Sequence, residues 1–84
     1  MPYSLQIKNS ALKELQKTDK QNRKRLIEEI DKFAANPHVG KLLKGEFSGL
    51  RRLRVGSYRI IYEVNEGEVL ILILRVAHRK SVYR

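Results

Sequence analysis

The stretch Leu53-Arg54-Val55-Gly56-Ser57-Tyr58-Arg59-Ile60-Ile61-Tyr62 decides the fold of this chain. Apolar and basic residues alternate around a Gly-Ser dipeptide, a pattern that predicts two antiparallel strands joined by a two-residue turn. Such a turn pairs Val55 with Tyr58 and Arg54 with Arg59. Arg52 then shares the face of Arg54, because alternate side chains of a strand point the same way. The opposite face is apolar and carries Leu53, Val55, Tyr58 and Ile60.

Three arginines on one face, Arg52, Arg54 and Arg59, indicate a bound anion. Like charges directly opposite each other destabilise a sheet. The planar guanidinium group meets two phosphate oxygens at once and does not lose its proton. We therefore favour a phosphate site, although a one-residue slip in the turn would scatter the set. The alternative is that each arginine pairs with a carboxylate from Glu46, Glu63, Glu66 or Glu68, with Glu63 expected on the arginine side.

The charge balance of the whole chain points to a polyanionic partner. Lys and Arg number 18 against 9 Asp and Glu, which gives a net charge of +9 and a pI of about 10.2. Residues 38–84 hold ten basic and four acidic side chains, so the excess is concentrated in the arginine-rich half. RNA, DNA and an acidic protein all fit this charge, as does a merely well-solvated basic surface.

The composition also excludes several classes of function. The chain has no cysteine, which excludes disulfides, thiolate metal sites and thiol catalysis and fits a cytoplasmic protein. Its longest apolar run, residues 69–74, is too short to span a bilayer and suits a buried strand. The C-terminal half has no carboxylate cluster, and His38 and His78 lie far apart in sequence, which argues against a metal-dependent nuclease. We interpret His38, in a loop after Pro37, as structural.

The N-terminal residues predict a strand followed by a helix. Residues 3–7 alternate between apolar and polar side chains, as in a strand with one apolar face. Asn9 or Ser10 can then cap a helix that begins at Ala11. The strand and this helix are expected to pack with their apolar sides together.

A second helix is predicted to follow at once. Thr18, with Gln21 as its partner in a capping box, marks the expected start. Asn36-Pro37 ends the helix, because the residue before a proline avoids the helical region. We interpret the many charges of this helix as its solvated face.

The remaining segments predict a loop and one more strand. Residues 38–49 contain three glycines and predict a loop or at most a short strand. Residues 69–76 form the last strand, which is apolar on both sides. One row, Val69, Ile71 and Ile73, or its alternate, Leu70, Leu72 and Leu74, should meet the helices. The other row lies on the arginine side, where the tail of the chain or a partner protein would cover it.

These motifs resemble those of a known family. Residues 53–62 are similar to the central signature of the RelE/ParE superfamily of bacterial and archaeal toxins, and His78-Arg79-Lys80-Ser81-Val82-Tyr83 is similar to the end of its RelE branch. Lys41-Leu42-Leu43-Lys44-Gly45 resembles the stretch that precedes the signature. The resemblance implies one α+β domain over residues 1–84, with β-α-α-β-β-β order. A two-helix hairpin would lie on one face of a twisted, mainly antiparallel four-stranded sheet.

The resemblance to the RelE branch also implies a function. Such proteins are toxins of type II toxin–antitoxin systems that cleave mRNA in the ribosomal A site, without a metal or cofactor. The 2′-hydroxyl attacks the adjacent phosphate and the 5′-oxygen leaves. By similarity, the candidate catalytic residues are Arg52, Arg54, Arg59, Arg79 and Tyr83. The candidate RNA-binding residues are Lys41, Lys44, Arg51, His78 and Lys80. The implied partners are mRNA, ribosomal RNA and a RelB-type antitoxin protein.

The chemistry of such a cleavage suits these residue types. Cations held near the reacting phosphate stabilise the additional negative charge of the transition state. Arginine is a poor general base because its pKa is too high, so the proton acceptor is left between Tyr83 and His78. Tyr83 can also stack on a base. His78 can instead be a positioning residue.

Two other functions stay open at this point. A ParE-like gyrase inhibitor would have the same fold but would bind protein and perform no RNA chemistry. It would not need Arg79 and Tyr83 together in the tail, and their presence favours RNA cleavage. A non-catalytic RNA-binding module is the other alternative, because a phosphate-binding cluster binds as readily as it cleaves.

Overall fold

The computed structural model describes residues 3–45 and 48–78. Within these ranges the order of elements is β1 (Ser4–Ile7), α1 (Asn9–Gln16), α2 (Lys20–Ala35), a 3₁₀ turn (Pro37–Val39), β2 (Lys41–Leu42), β3 (Leu50–Val55), β4 (Tyr58–Asn65) and β5 (Leu70–His78). The strands form one sheet in the order β1-β5-β4-β3-β2. β1 is parallel to β5, and the other three pairs are antiparallel.

The predicted architecture of two helices on a mainly antiparallel sheet is confirmed. The sheet has five strands instead of four, because Lys41 and Leu42 pair with Arg52 and Arg51 of β3. This segment was expected to be a loop or at most a short strand, and the short strand is what forms. In the described ranges, neither α1 nor α2 has the length and apolar character that a membrane-spanning helix requires.

The β3–β4 hairpin has the predicted register. Val55 pairs with Tyr58 and Arg54 with Arg59 across the turn. Gly56 has a φ of +60°, and Ser57 is not among the described residues with positive φ. A two-residue turn with positive φ only at its first position requires glycine there and matches the twist of the flanking strands. The turn therefore holds the register on which the arginine arrangement depends.

Both predicted helix starts are wrong by one or two residues. α1 begins at Asn9, and its N-cap is Lys8, whose side chain makes no capping hydrogen bond. α2 is capped by Asp19, which accepts a hydrogen bond from the Asn22 backbone N–H at 3.2 Å. Thr18 is instead buried, and its hydroxyl donates to the carbonyl of Glu14 at 3.0 Å. Because the Thr18 side chain bonds to the backbone at the end of α1, it does not cap α2, and the next residue, Asp19, does so.

The core lies between the helices and one face of the sheet. Ile71 and Ile73 of β5 are fully buried in it, so the odd-numbered row of this strand meets the helices. Leu70, Leu72 and Leu74 are half-buried on the other side. The helices contribute Ala11, Leu15, Leu26, Ile30 and Phe33.

Tyr62 connects this core to the segment that follows α2. Its hydroxyl donates to the carbonyl of Pro37 at 2.6 Å and accepts from the N–H of Gly40 at 3.0 Å. Its ring stacks on Phe33 with centroids 4.5 Å apart. Burial raises the pKa of Tyr62 above its ordinary value. A side chain at Gly40 would collide with the Tyr62 hydroxyl, so glycine is required where β2 begins.

The Tyr62→Phe variant should lose about 1–3 kcal/mol of the free energy of unfolding, because the buried N–H of Gly40 and carbonyl of Pro37 lose their shared partner. Urea denaturation measures the change. The matched control is Tyr3→Phe, which removes a hydroxyl from an exposed hydrogen bond and should cost far less. Equal losses in the two variants would contradict the role assigned to Tyr62.

Glu66, in the β4–β5 turn, holds two segments from the start and middle of the chain. It accepts a hydrogen bond from the Tyr3 hydroxyl at 2.5 Å and contacts His38 Nε2 at 2.7 Å. The hydrogen bond from Tyr3 and then the interaction with His38 lower the pKa of Glu66 below its usual range. His38 is thus structural, as predicted.

The Glu66 carboxylate should contribute to stability above its ordinary pKa of 4.5 and lose that contribution as the pH falls through the lowered value of the folded state. The Glu66→Gln variant should therefore be less stable than wild type near neutrality and converge with it in acid, as the pH falls below the lowered pKa of Glu66. Thermal denaturation at stepwise pH values measures this. Parallel pH profiles for the two proteins would refute it.

Candidate nucleic-acid interface

The sheet face that points away from the helices carries four basic residues predicted to bind RNA or its phosphate. Val55 and Tyr58 belong to the core side, so the paired Arg54 and Arg59 lie on the opposite side. Arg52 follows by alternation, and Lys41 is its direct partner on β2. We call this surface, with Lys41, Arg52, Arg54 and Arg59, the arginine face.

The strand geometry brings these cations close together. Residues directly opposite each other across an antiparallel ladder have Cα atoms about 5 Å apart, which is the relation of Arg54 to Arg59 and of Lys41 to Arg52. Arg54 is exposed, whereas Arg52 and Arg59 are half-buried. Guanidinium groups on such closely spaced backbones can reach a single phosphate group together.

Apolar residues lie among the cations on this face. Ile61 pairs with Arg52, and Ala77 pairs with Arg59, and both apolar residues are buried. Leu72 and Leu74 continue the apolar surface along β5. Poorly hydrated surroundings strengthen the attraction between a cation and an anion. The face can therefore hold a phosphate more firmly than the same charges would on an open surface.

The alternative, in which glutamates neutralise the arginines, fails for Arg54. The three ion pairs described within residues 3–45 and 48–78 join Lys32 to Glu29, His38 to Glu66 and Arg75 to Glu14. Arg54 takes part in none of them. Glu63 does lie on the arginine face, as predicted, but it is exposed and paired in the ladder with Leu50. Glu46 lies outside the described residues.

Two of the residues predicted to bind RNA lie elsewhere. Arg51 points to the other side of β3, where its Nη1 donates to the carbonyls of Gly40 at 2.9 Å and His38 at 3.4 Å. His78 pairs with Tyr58, and their rings meet edge to face at 5.3 Å. Arg51 and His78 are thus separated by the sheet from the arginine face.

The remaining predicted residues are not brought onto this face by the described structure. Lys44 is exposed in the loop after β2. Arg79, Lys80 and Tyr83 lie outside the described residues, so their assignment to RNA binding and catalysis stays a prediction.

The sequence analysis missed the basic start of α2. Arg25 lies against the β3–β4 turn, because a Cβ atom built on Gly56 would come within 3.1 Å of its Nη1. Lys20, Arg23, Lys24 and Arg25 occupy the first two turns of α2, and the first turn has no acidic residue. Cations are unfavourable at a helix N-terminus. This segregation of charge is readable in the sequence, and it extends the basic surface of the arginine face around the turn.

The Arg54→Thr variant should be more stable than wild type and should bind phosphate less well. Removing one of two opposed cations from the ladder should raise the Tm by about 2–4 °C. NMR titration with inorganic phosphate should show binding at least about fivefold weaker. Glu63→Thr is the matched control on the same face and should retain phosphate binding. If the Arg54→Thr variant bound phosphate as tightly as wild type, the assignment of the arginine face would be contradicted.

Comparison with known proteins identifies relatives for nearly the whole chain. The model of the family described as ParE toxin of type II toxin–antitoxin system, parDE, matches residues 5–83. The toxin RelG of Mycobacterium tuberculosis is 31% identical over 90 aligned residues, which cover 100% of this chain and 99% of RelG. The similarity thus includes both the arginine hairpin and the C-terminal motif.

Solved structures show the same architecture. The chain matches one from the RelBE2 toxin–antitoxin complex of Mycobacterium tuberculosis with a TM-score of 0.87 and 30% identity, covering 94% of this chain and 100% of that one. It also matches a chain from the archaeal RelE–RelB complex of Pyrococcus horikoshii, with a TM-score of 0.80 and 32% identity over 98% of this chain and 100% of that one. Both of these structures are complexes of a toxin with its antitoxin.

Proposed function

Since the chain belongs to the ParE toxin family of type II toxin–antitoxin systems and is a toxin of the RelE type, we propose that it is a ribosome-dependent endonuclease that cleaves mRNA. Residues 1–84 would act as a single toxin domain. One observation carries the proposal: Arg54 and Arg59 oppose each other on a face that they share with Arg52 and Lys41. A protein that keeps such a costly arrangement gains from it when an anion lies between the cations.

The proposed reaction uses no metal and no cofactor. The 2′-oxygen of the substrate attacks the adjacent phosphorus, and the bond from phosphorus to the 5′-oxygen breaks. The proton of the 2′-hydroxyl passes to a base, and the leaving 5′-oxygen takes up a proton. The phosphoryl oxygens carry their greatest negative charge between these two events, so cations placed in advance stabilise the transition state more than the substrate.

Each basic residue of the arginine face has a proposed role. Arg54 and Arg59 bind the reacting phosphate, because they stand opposite each other on adjacent strands. Arg52 and Lys41 lie one step further along the ladder and bind a neighbouring phosphate of the same strand. We assign Arg79 to the same phosphate as Arg54 and Arg59. Tyr83 stacks on a nucleobase of the RNA or exchanges a proton with the reacting groups. This division predicts that Lys41 affects binding more than the rate of cleavage.

The proposed partners are mRNA, ribosomal RNA and an antitoxin of the RelB type. The basic start of α2, around Arg25, offers further contacts to the phosphates of ribosomal RNA. The toxin–antitoxin complexes of the similar structures support the antitoxin. An acidic, amphipathic segment would suit the arginine face, because Leu72 and Leu74 provide apolar contacts beside the cations.

Inhibition of gyrase is the second candidate, favoured by the description of the matching family as ParE toxins. In that case the basic surface would bind protein, and the arginine face would perform no chemistry on RNA. The similarity to a toxin named RelG over the full chain favours the nuclease. The two functions can be distinguished directly, because only the nuclease produces cleaved mRNA.

Wild-type protein added to translating ribosomes should produce cleaved mRNA, with cuts mapped by primer extension. Arg54→Ala and Arg59→Ala should each lower the rate constant of cleavage by about 10²–10³, because each removes a cation from the transition state. Arg79→Ala and Tyr83→Phe test the tail, and both should also be slow. Lys32→Ala, an exposed residue at the other end of α2, is the control.

If wild type left transcripts intact and inhibited DNA supercoiling, the protein would be a gyrase inhibitor and the nuclease proposal would be refuted. Ribosome binding and RNA binding without cleavage would indicate the non-catalytic module. Full cleavage activity in both the Arg54 and Arg59 variants would refute the role given to the arginine face.

A further inference from the structure

The strand β5 changes register in the middle of its pairing with β4. Tyr62 pairs with Ile73, but the preceding residue, Ile61, pairs with Arg75, so Leu74 is an extra residue. Such a bulge reverses the side on which all later residues of the strand lie. It places Ala77 opposite Arg59 and His78 opposite Tyr58. An unbulged ladder would place Val76 beside Arg59.

β5 also loses its other neighbour at the same point. The parallel pairing with β1 ends at Ile7 and Ile73, and the last bond joins the N–H of Lys8 to the carbonyl of Ile73. Beyond this bond lies Val76, a residue that is only 2% exposed, so its backbone N–H is shielded from water. A buried N–H group needs a partner. Glu14 of α1 supplies it, because its Oε1 accepts from the Val76 N–H at 3.0 Å.

The same carboxylate also binds Arg75, the residue that follows the bulge. Oε2 of Glu14 accepts from Nη2 of Arg75 at 2.8 Å and from its Nε at 3.0 Å. The backbone carbonyl of Glu14 is itself bound by the buried hydroxyl of Thr18, which closes the end of α1. One side chain therefore holds two successive residues of β5 at the edge that β1 no longer covers.

We propose that Glu14 is a positioning residue for the cleavage reaction: it holds the end of β5, from Val76 to His78, in register beside Arg59. The inference rests on the proposed function. Glu14 contacts no group proposed to touch RNA, although Arg75, which it binds, pairs with Ile61 of the arginine face. Its effect passes through Ala77, the small residue opposite Arg59. Without Glu14, this end of β5 separates from β4, and the cations lose their alignment.

The test separates the two contacts of Glu14. Glu14→Ala removes both. Glu14→Gln keeps an oxygen that can accept from the Val76 N–H but loses the ion pair. Arg75→Met also loses the ion pair and leaves the Glu14–Val76 bond. Glu29→Ala is the matched control, because Glu29 also forms an ion pair from a helix but with Lys32, away from β5.

Amide exchange and nuclear Overhauser effects measure the register without any RNA. In Glu14→Ala, the Val76 amide should exchange at least about tenfold faster than in wild type, and the cross-strand signals joining residue 59 to residue 77 should weaken. Glu14→Gln, Arg75→Met and Glu29→Ala should retain these signals. A Val76 amide that is equally protected in Glu14→Ala and wild type would overturn the inference.

Single-turnover cleavage on ribosomes measures the consequence. Glu14→Ala should lower the rate constant at saturating ribosomes at least about tenfold, with the half-saturating concentration changed less than about twofold, because misalignment affects chemistry more than binding. Glu14→Gln should restore the rate to within about threefold of wild type. The proposal would be overturned if the rate constant fell only in proportion to the unfolded fraction of the protein and fell equally in Glu14→Gln. That result would show that Glu14 has a structural role alone. If wild type does not cleave, the proposed function fails, while the exchange data still decide whether Glu14 holds β5.

Discussion

Arg54 and Arg59 pair directly across the β3–β4 hairpin, and the apolar side of the same two strands holds them there. Val55 and Ile60 are buried on the helix side, next to the positions of the arginines in sequence. Burial of such side chains contributes about 1.5–3 kcal/mol each, more than the repulsion of two partly hydrated cations. The core thus maintains a charge arrangement that would not persist in an isolated hairpin.

In the described ion pairs, the acidic residues bind cations that belong to the scaffold. Glu14 binds Arg75, Glu66 binds His38, and Glu29 binds Lys32, and all three carboxylates join parts of the scaffold to each other. Arg54 receives none of them. The protein therefore satisfies its structural cations internally and leaves part of its positive charge for a partner, which is consistent with a polyanionic ligand.

At two of the places where regular backbone pairing stops within the described residues, a single polar side chain replaces it. Between α2 and β2, the Tyr62 hydroxyl serves the backbone of Pro37 and Gly40. Beyond the end of β1, Glu14 serves the backbone of Val76. Both side chains come from elements far away in sequence, and both fix segments that border the arginine face. The face is therefore positioned by the core and by these two polar contacts together.

The sequence by itself determined the hairpin, its register and the side on which the arginines lie. These features depend on a period of two residues and on one glycine with positive φ, and both are local. The tertiary structure decided what local patterns cannot. Thr18 is buried and the cap moves to Asp19. Arg51, which alternation already places on the other side of β3, binds the backbone of Gly40. It also decided that Glu14 reaches a strand 62 residues away. Such contacts depend on which buried polar groups are left without a partner once the helices and strands have packed. The spacing of residues in the sequence does not contain this information.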